Sequence, residues 1–254
     1  MDTSKQLPVM VPIFGGDGNV LFQLAGALEI AKRRGCEIRI LDCRAKQAPM
    51  IYTTLRWTQH NSTFVDGVLE SFVVVEPKLL DNLNFIFSYI KQIKLKIVCE
   101  NDQLHLSYFQ SRSEISMEVI QTISAKLSIY IKDSKPSKFS LIHFRGGDSP
   151  RSSRETQYKA ILALAGDERF KNALIISDDP ILTSELPFSS ISGHLIEDFI
   201  NLTNASKLFL GDSTFAFWAA VTGNAKHLYT YRGSLIDRLK PLLKNRITIV
   251  DAPE

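Results

Sequence analysis

Apolar and polar positions at the start of the chain change period twice. Val9 to Phe14 is an apolar run that predicts a buried strand, and Gly15-Gly16-Asp17-Gly18-Asn19 reads as a tight loop. Leu21, Leu24, Ala25, Leu28 and Ala31 then recur at helical spacing, so one face of the following helix is apolar. Lys32-Arg33-Arg34 falls in its last turn, where cations suit the helix dipole, and Gly35 is placed to cap it. Cys36, Ile38 and Ile40 alternate with polar residues as in a half-buried strand. Strand, helix, strand in this order predicts a parallel sheet.

The same reading continues along the chain. Phe72 to Val75 and Leu95 to Cys99 read as strands, and Leu79 to Ile93 and Met117 to Leu127 as helices. Residues 132–138 are polar, contain Pro136 and read as a linker. Beyond it the pattern predicts strands at Phe139–Phe144, Ala173–Ile176, Lys207–Leu210, His227–Tyr231 and Ile247–Val250. Helices are expected at Tyr158–Leu164 and from Ser213-Thr214 through Val221. Strands alternating with helices in both halves predict an α/β fold of two Rossmann-like domains, residues 1–134 and 135–254. No internal repeat or low-complexity tract is evident.

Composition narrows the classes. The chain has 254 residues, room for one large domain or two modest ones, and 44% hydrophobic residues, enough for a real core. A net charge of +3, with 22% charged residues mostly scattered, argues against a nucleic-acid partner, although a mild positive excess suits a phosphate-bearing substrate. The cysteines, Cys36, Cys43 and Cys99, fit neither a zinc site nor a disulfide framework, which suggests a reducing compartment. The residues before Val9 show no signal-peptide pattern, and no stretch reaches the roughly 20 apolar residues of a membrane span. A cytoplasmic location is therefore expected, with contact at the inner membrane face left open. On that view the sequons at Asn61, Asn201 and Asn204 are chance matches.

Chemistry-bearing residues gather where strands end, which is where open α/β sheets bind ligands. His143-Phe144-Arg145-Gly146-Gly147-Asp148 closes one strand. Arginine there suits a diphosphate through its planar fork, and the glycines let the backbone approach closely. A strand-end turn with an Arg145–Asp148 surface ion pair is the plainer alternative. Ser177-Asp178-Asp179 also ends a strand. A carboxylate there can accept from ribose hydroxyls or a guanine edge, or cap a helix with Pro180 at its first position. Gly211-Asp212-Ser213-Thr214 leads into a helix whose N-terminus would bind phosphate, Ser213 and Thr214 adding hydroxyls. Equally, Ser213 is an N-cap, with Phe215, Phe217 and Trp218 expected in the core behind it. Gly16-Asp17-Gly18 begins a dinucleotide fingerprint, with Asp42 as the acidic residue further on, but Leu21 stands where the third glycine belongs.

Taken together these segments resemble the α-1,2-fucosyltransferase family, and more broadly the GDP-fucose-dependent transferases. The resemblance runs in order through residues 15–25, Ser107-Tyr108-Phe109-Gln110-Ser111, His143-x-Arg145-x-Gly147-Asp148, Ile176-Ser177-Asp178-Asp179 and residues 213–220. It implies a GT-B fold, two Rossmann-like domains facing across a cleft. It implies an inverting transfer of L-fucose from GDP-fucose to a glycan hydroxyl, α-1,2 to galactose, with no metal required. The second domain would hold the donor through His143, Arg145, Gly147, Asp148, Asp178, Ser213, Thr214 and Phe215. Arg145 would take the β-phosphate with His143 beside it, and their neighbourhood would stabilise the leaving diphosphate. Gly16, Gly18, Asn19 and Gln23 would lie on the cleft or acceptor side. The motifs assign no general base; Asp17 is a candidate by chemistry alone.

The chain departs from the family at Asp17, Val20, Asp212, Ala216 and Phe217, and it is short. These departures bear on acceptor and linkage more than on donor class. Two other readings stand beside the transferase: a nicotinamide-dependent oxidoreductase using the Gly15–Gly18 loop, and a catalytically silent nucleotide-sugar binder. The expected partners are a nucleotide-sugar donor and a glycan acceptor, and the sequence leaves the oligomeric state open.

Overall fold

The computed structural model describes residues 9–13, 16–42, 64–75, 115–132, 134–146, 151–243 and 247–250. The helix expected at Leu79–Ile93, the strand at Leu95–Cys99 and the segment Ser107–Ser111 lie outside them. The chain divides into two compact units, Met1–Val119 and Ile120–Glu254. This division differs from a boundary after residue 134. The expected linker is tied into the second unit, because Ser137 N–H donates to the Asn204 carbonyl at 2.7 Å and Ser134 Oγ to Asn204 Oδ1 at 3.3 Å.

In the first unit β1 (Val9–Ile13), β2 (Ile38–Asp42) and β3 (Val73–Val75) form a parallel sheet in that order. Between β1 and β2 runs α1 (Asp17–Arg34), and a short helix, α2 (Asp66–Leu69), precedes β3. Helix α1 begins earlier than the loop reading allowed. Asn19 and Val20 N–H groups donate to the Gly16 carbonyl at 2.9 and 3.1 Å, so Asp17, Gly18 and Asn19 form the first helical turn, where Asp17 suits the dipole. At the other end Gly35 is left-handed, φ 63°, and Cys36 N–H closes on the Ala31 carbonyl at 3.1 Å, the expected glycine stop. Cys36 therefore precedes β2 rather than opening it. Helix α3 (Met117–Leu127), at its expected place, carries the chain across the division.

The second unit is a six-stranded, all-parallel sheet. In chain order its strands are β4 (Ser140–Phe144), β5 (Leu174–Ser177), β6 (Ser189–Ser190), β7 (Lys207–Phe209), β8 (His227–Tyr231) and β9 (Ile247–Val250). In space the order is β6-β5-β4-β7-β8-β9. Renumbered within the unit this is 3-2-1-4-5-6, the doubly wound Rossmann order. The helices are α4 (Arg151–Leu164), α5 (Pro180–Ser184), α6 (Leu195–Asn204), α7 (Thr214–Thr222) and α8 (Leu235–Arg238).

Packing follows the two periods. Ile142 and Phe144 alternate inward from β4 and meet Ala160, Ile161 and Leu164 of α4, with Ile175, Phe209 and Tyr229 from neighbouring strands. Each large apolar side chain buried there contributes about 1.5–3 kcal/mol. Windings that leave β4 and β7 in opposite directions, with right-handed crossovers, put α4 and α7 on opposite faces of the sheet. The α/β class with a parallel sheet in each unit agrees with the sequence reading. Among the described residues no helix is long and apolar enough to cross a membrane.

Candidate functional site

Strands β4 and β7 are neighbours, yet the winding reverses between them, so no crossover covers their carboxyl ends. Doubly wound sheets bind ligands in that crevice. The two segments that the sequence reading singled out most strongly, His143 to Gly146 and Gly211 to Phe215, end these two strands.

Alternation along β4 sends His143 to the face away from Ile142 and Phe144. It is 8% exposed, and its Nδ1 is buried with no hydrogen-bond partner. Its ring lies 6.2 Å from that of Phe215, tilted by 47°. Burial pulls its pKa down to about 4, opposed by the Asp178 carboxylate and reinforced by the Arg145 guanidinium. The imidazole is therefore neutral at neutral pH. A buried ring nitrogen without a partner is unusual and marks a point where a ligand can bond.

Arg145 follows, half-buried, and Gly146 donates its N–H to Asp178 Oδ1 at 2.8 Å. A Cβ on Gly146 would stand 2.3 Å from Asp179 Cβ, so only glycine lets this loop close on the end of β5. The two aspartates differ in their contacts. Asp179 caps α5, accepting from Leu182 N–H at 3.0 Å, with Pro180 at the first position. Asp178 is exposed beside Gly146. Gly147 and Asp148 lie outside the described residues.

On the β7 side Ser213 caps α7, its Oγ accepting from Ala216 N–H at 3.2 Å. Ser213 and Thr214 are buried at 2% and 3% exposure. The aromatic residues behind them correct the expectation of a uniform core. Phe217 and Trp218 are fully buried, but Phe215 is half-buried between His143 and Phe199, whose ring lies 5.6 Å away. Helical spacing accounts for this, since Phe215 projects from the first turn at the sheet edge rather than onto the sheet.

The sequence reading missed what holds the two sides together. Gln157 of α4 is fully buried. Its Nε2 donates to the Arg145 carbonyl at 3.0 Å, and its Oε1 accepts from Asp212 N–H at 3.0 Å and, longer, from Arg145 N–H at 3.5 Å. Its signal was legible: with Ala160, Ile161 and Leu164 it completes an i, i+3, i+4, i+7 face on which it is the polar member. Asp212 accepts from Ser153 Oγ at 2.7 Å and from Leu235 N–H at 2.6 Å. Tyr231, whose hydroxyl bonds to Ser153 and Asp212, has its pKa pushed up to about 12 by burial and by the Asp212 charge. Thr230 Oγ1 donates to the Gly211 carbonyl at 3.0 Å. Asp212 thus anchors its loop.

In the first unit the expected cleft residues sit at the start of α1. Gly16 is its N-cap, Asp17 is 6% exposed, Gly18 is buried, Asn19 is half-buried and Gln23 is fully buried. Among the described residues no three His, Cys, Asp or Glu side chains group as around a metal ion.

No protein-family model matches the chain, and no curated protein matches it by sequence. Solved structures similar to it include the fucosyltransferase NodZ from Bradyrhizobium, at 11% identity and a TM-score of 0.46 over 88% of this chain and 95% of that one. The E. coli heptosyltransferase WaaC with ADP is similar at 10% identity and a TM-score of 0.44, over 97% and 94% of the two chains. The spinosyn forosaminyltransferase SpnP is similar at 15% identity and a TM-score of 0.37, over 96% and 85%.

Proposed function

We propose that the chain is an inverting glycosyltransferase of GT-B type that moves L-fucose from GDP-fucose to a glycan hydroxyl, α-1,2 to a galactose. The observation that carries the nucleotide part of this reading is that His143-x-Arg145 and Ser213-Thr214-Phe215 end the two strands flanking the switch point of a 3-2-1-4-5-6 sheet. The sugar and the linkage rest on the ordered resemblance of the motifs.

In the reaction the acceptor oxygen attacks the anomeric carbon from the face opposite the diphosphate. The new carbon–oxygen bond forms as the bond to the β-phosphate oxygen breaks, and the electron pair leaves with GDP. Arg145 and the positive end of the nine-residue α7 receive the growing phosphate charge. Neutral His143 bonds a phosphate or sugar oxygen, and Phe215 covers it from the α7 side. Asp178 takes donor groups of the nucleoside. The acceptor proton goes to a carboxylate, for which Asp17 is the candidate. Arginine and a helix terminus carry the charge that a metal carries elsewhere, so transfer is expected to continue in a chelator. Loss of transfer in EDTA with recovery in magnesium or manganese would contradict that.

The experiment is calorimetry against GDP, UDP, CMP and NAD, followed by transfer assays over galactose-ended acceptors. The reading requires selective binding of GDP and transfer of fucose. Preference for NAD would overturn it in favour of an oxidoreductase. GDP binding without transfer to any acceptor would leave a nucleotide-sugar binder.

A further inference from the structure

We propose that Gln157 is a positioning residue for the donor site, its buried side-chain amide fixing Arg145 and the N-terminal turn of α7 at one spacing across the switch point. The inference rests on the nucleotide reading above. Gln157 lies on the apolar face of α4, where a leucine or methionine would fill the volume without the cost of burying an amide. That cost is offset by hydrogen bonds, and all of them go to the backbone of the two strand-end loops. Arg145 is gripped by both its carbonyl and its N–H, which fixes the Cα from which the guanidinium extends.

The partner across the gap is the N–H of Asp212, immediately before the Ser213 cap. Gly211 is shaped to the same amide. Its φ is +57°, and a Cβ there would lie 2.0 Å from Gln157 Oε1 and 2.7 Å from the His143 carbonyl. The α7 side is already secured by Thr230 to the Gly211 carbonyl and by Ser153 and Leu235 to Asp212. Gln157 carries that anchorage over to the β4 side, so the arginine and the helix terminus keep their registration before any ligand arrives. Preorganised groups of this kind bind a diphosphate without first ordering their loops.

The test uses the whole protein, Gln157→Met and Gln157→Glu, with GDP affinity measured well below the melting transition so that every molecule is folded. Gln157→Met keeps the bulk and removes the amide; its GDP affinity should fall about tenfold or more. Gln157→Glu keeps the acceptor for Asp212 N–H but sets a second oxygen against the Arg145 carbonyl. Protonation of the buried carboxyl restores the donor, so its affinity should be weak at about pH 8 and approach wild type at about pH 5.5. Each value is compared with wild type at the same pH, because His143, Arg145, Asp178 and Asp212 stand around the same loops. A purely structural glutamine would lower the melting temperature in both variants and leave the affinity of folded protein unchanged, which would overturn the proposal. Gln157→Glu binding at wild-type strength at the higher pH would overturn it even if the methionine variant did not fold. Wild-type protein that ignores GDP would overturn the nucleotide reading itself, a result distinct from GDP binding that survives the loss of Gln157.

Discussion

His143 and Phe215 are 72 positions apart in the chain, and their rings stand 6.2 Å from each other at the point where the winding of the second sheet reverses. One comes from the end of a strand and the other from the first turn of a helix. Their meeting makes the motif His143-x-Arg145 and the motif Ser213-Thr214-Phe215 two sides of one crevice.

The buried imidazole makes stability depend on pH. In the folded state its pKa is about 4 against an ordinary 6.5, so between those values the unfolded chain binds more protons than the folded one. Stability is therefore held above pH 6.5 and lost as pH falls towards 4, at up to about 1.4 kcal/mol per pH unit from this residue. Urea unfolding of wild type and His143→Gln at several pH values measures it. The variant should show a shallower loss across that window; equal slopes would place His143 in water rather than in the crevice wall.

Gly146→Ala should destabilise the protein by about 1–3 kcal/mol, because its methyl would overlap Asp179, the cap of α5. Gly166→Ala is the control. Nothing lies within 4 Å of a Cβ there, and the change should stay within about 0.5 kcal/mol of wild type. Denaturant titration of the pair measures what the close approach of the two strand-end loops contributes; equal stability of the two variants would contradict the prediction.

Much of this was readable before the structure, where a residue acts through its own neighbours in sequence. Gly35 as a helix stop, Asp179-Pro180 and Ser213 as helix starts, and the apolar strands β8 and β9 all follow local rules. Elements that break local rules were missed. β6 is only Ser189–Ser190, both exposed, and gains its strand state from pairing with β5. Helix α4 begins at Arg151, well before its buried Ala160, Ile161 and Leu164, so its polar first turns carry no apolar period to read. Helix α6 is different: Leu195, Phe199 and Leu202 recur at helical spacing, so its apolar face is a local signal that the sequence analysis does not use. The role of Gln157 depends on two loops brought together by the sheet order, which no single segment encodes.

The first unit's role separates from the second's by kinetics. Asp17→Asn and Asn19→Ala should lower transfer while GDP affinity stays close to wild type, because the nucleotide is assigned to the other unit. Asn19→Ala should change stability by less than about 1 kcal/mol, because Asn19 lies within the first turn of α1, where Gly16 is the cap and alanine is the better helix former. Full transfer by both variants would make the start of α1 scaffolding and remove Asp17 as the base.

The most direct measurement of the central claim is GDP binding by Arg145→Ala. If the diphosphate lies at the β4–β7 switch point, losing the guanidinium removes a charge-assisted contact worth about 1.5–3 kcal/mol, a roughly 10- to 150-fold weakening. The melting transition should stay near wild type, since Arg145 is only half-buried and follows the end of β4. Calorimetry showing that loss in folded protein is the predicted result. Unchanged GDP affinity in folded Arg145→Ala would contradict the account and move the nucleotide away from this crevice.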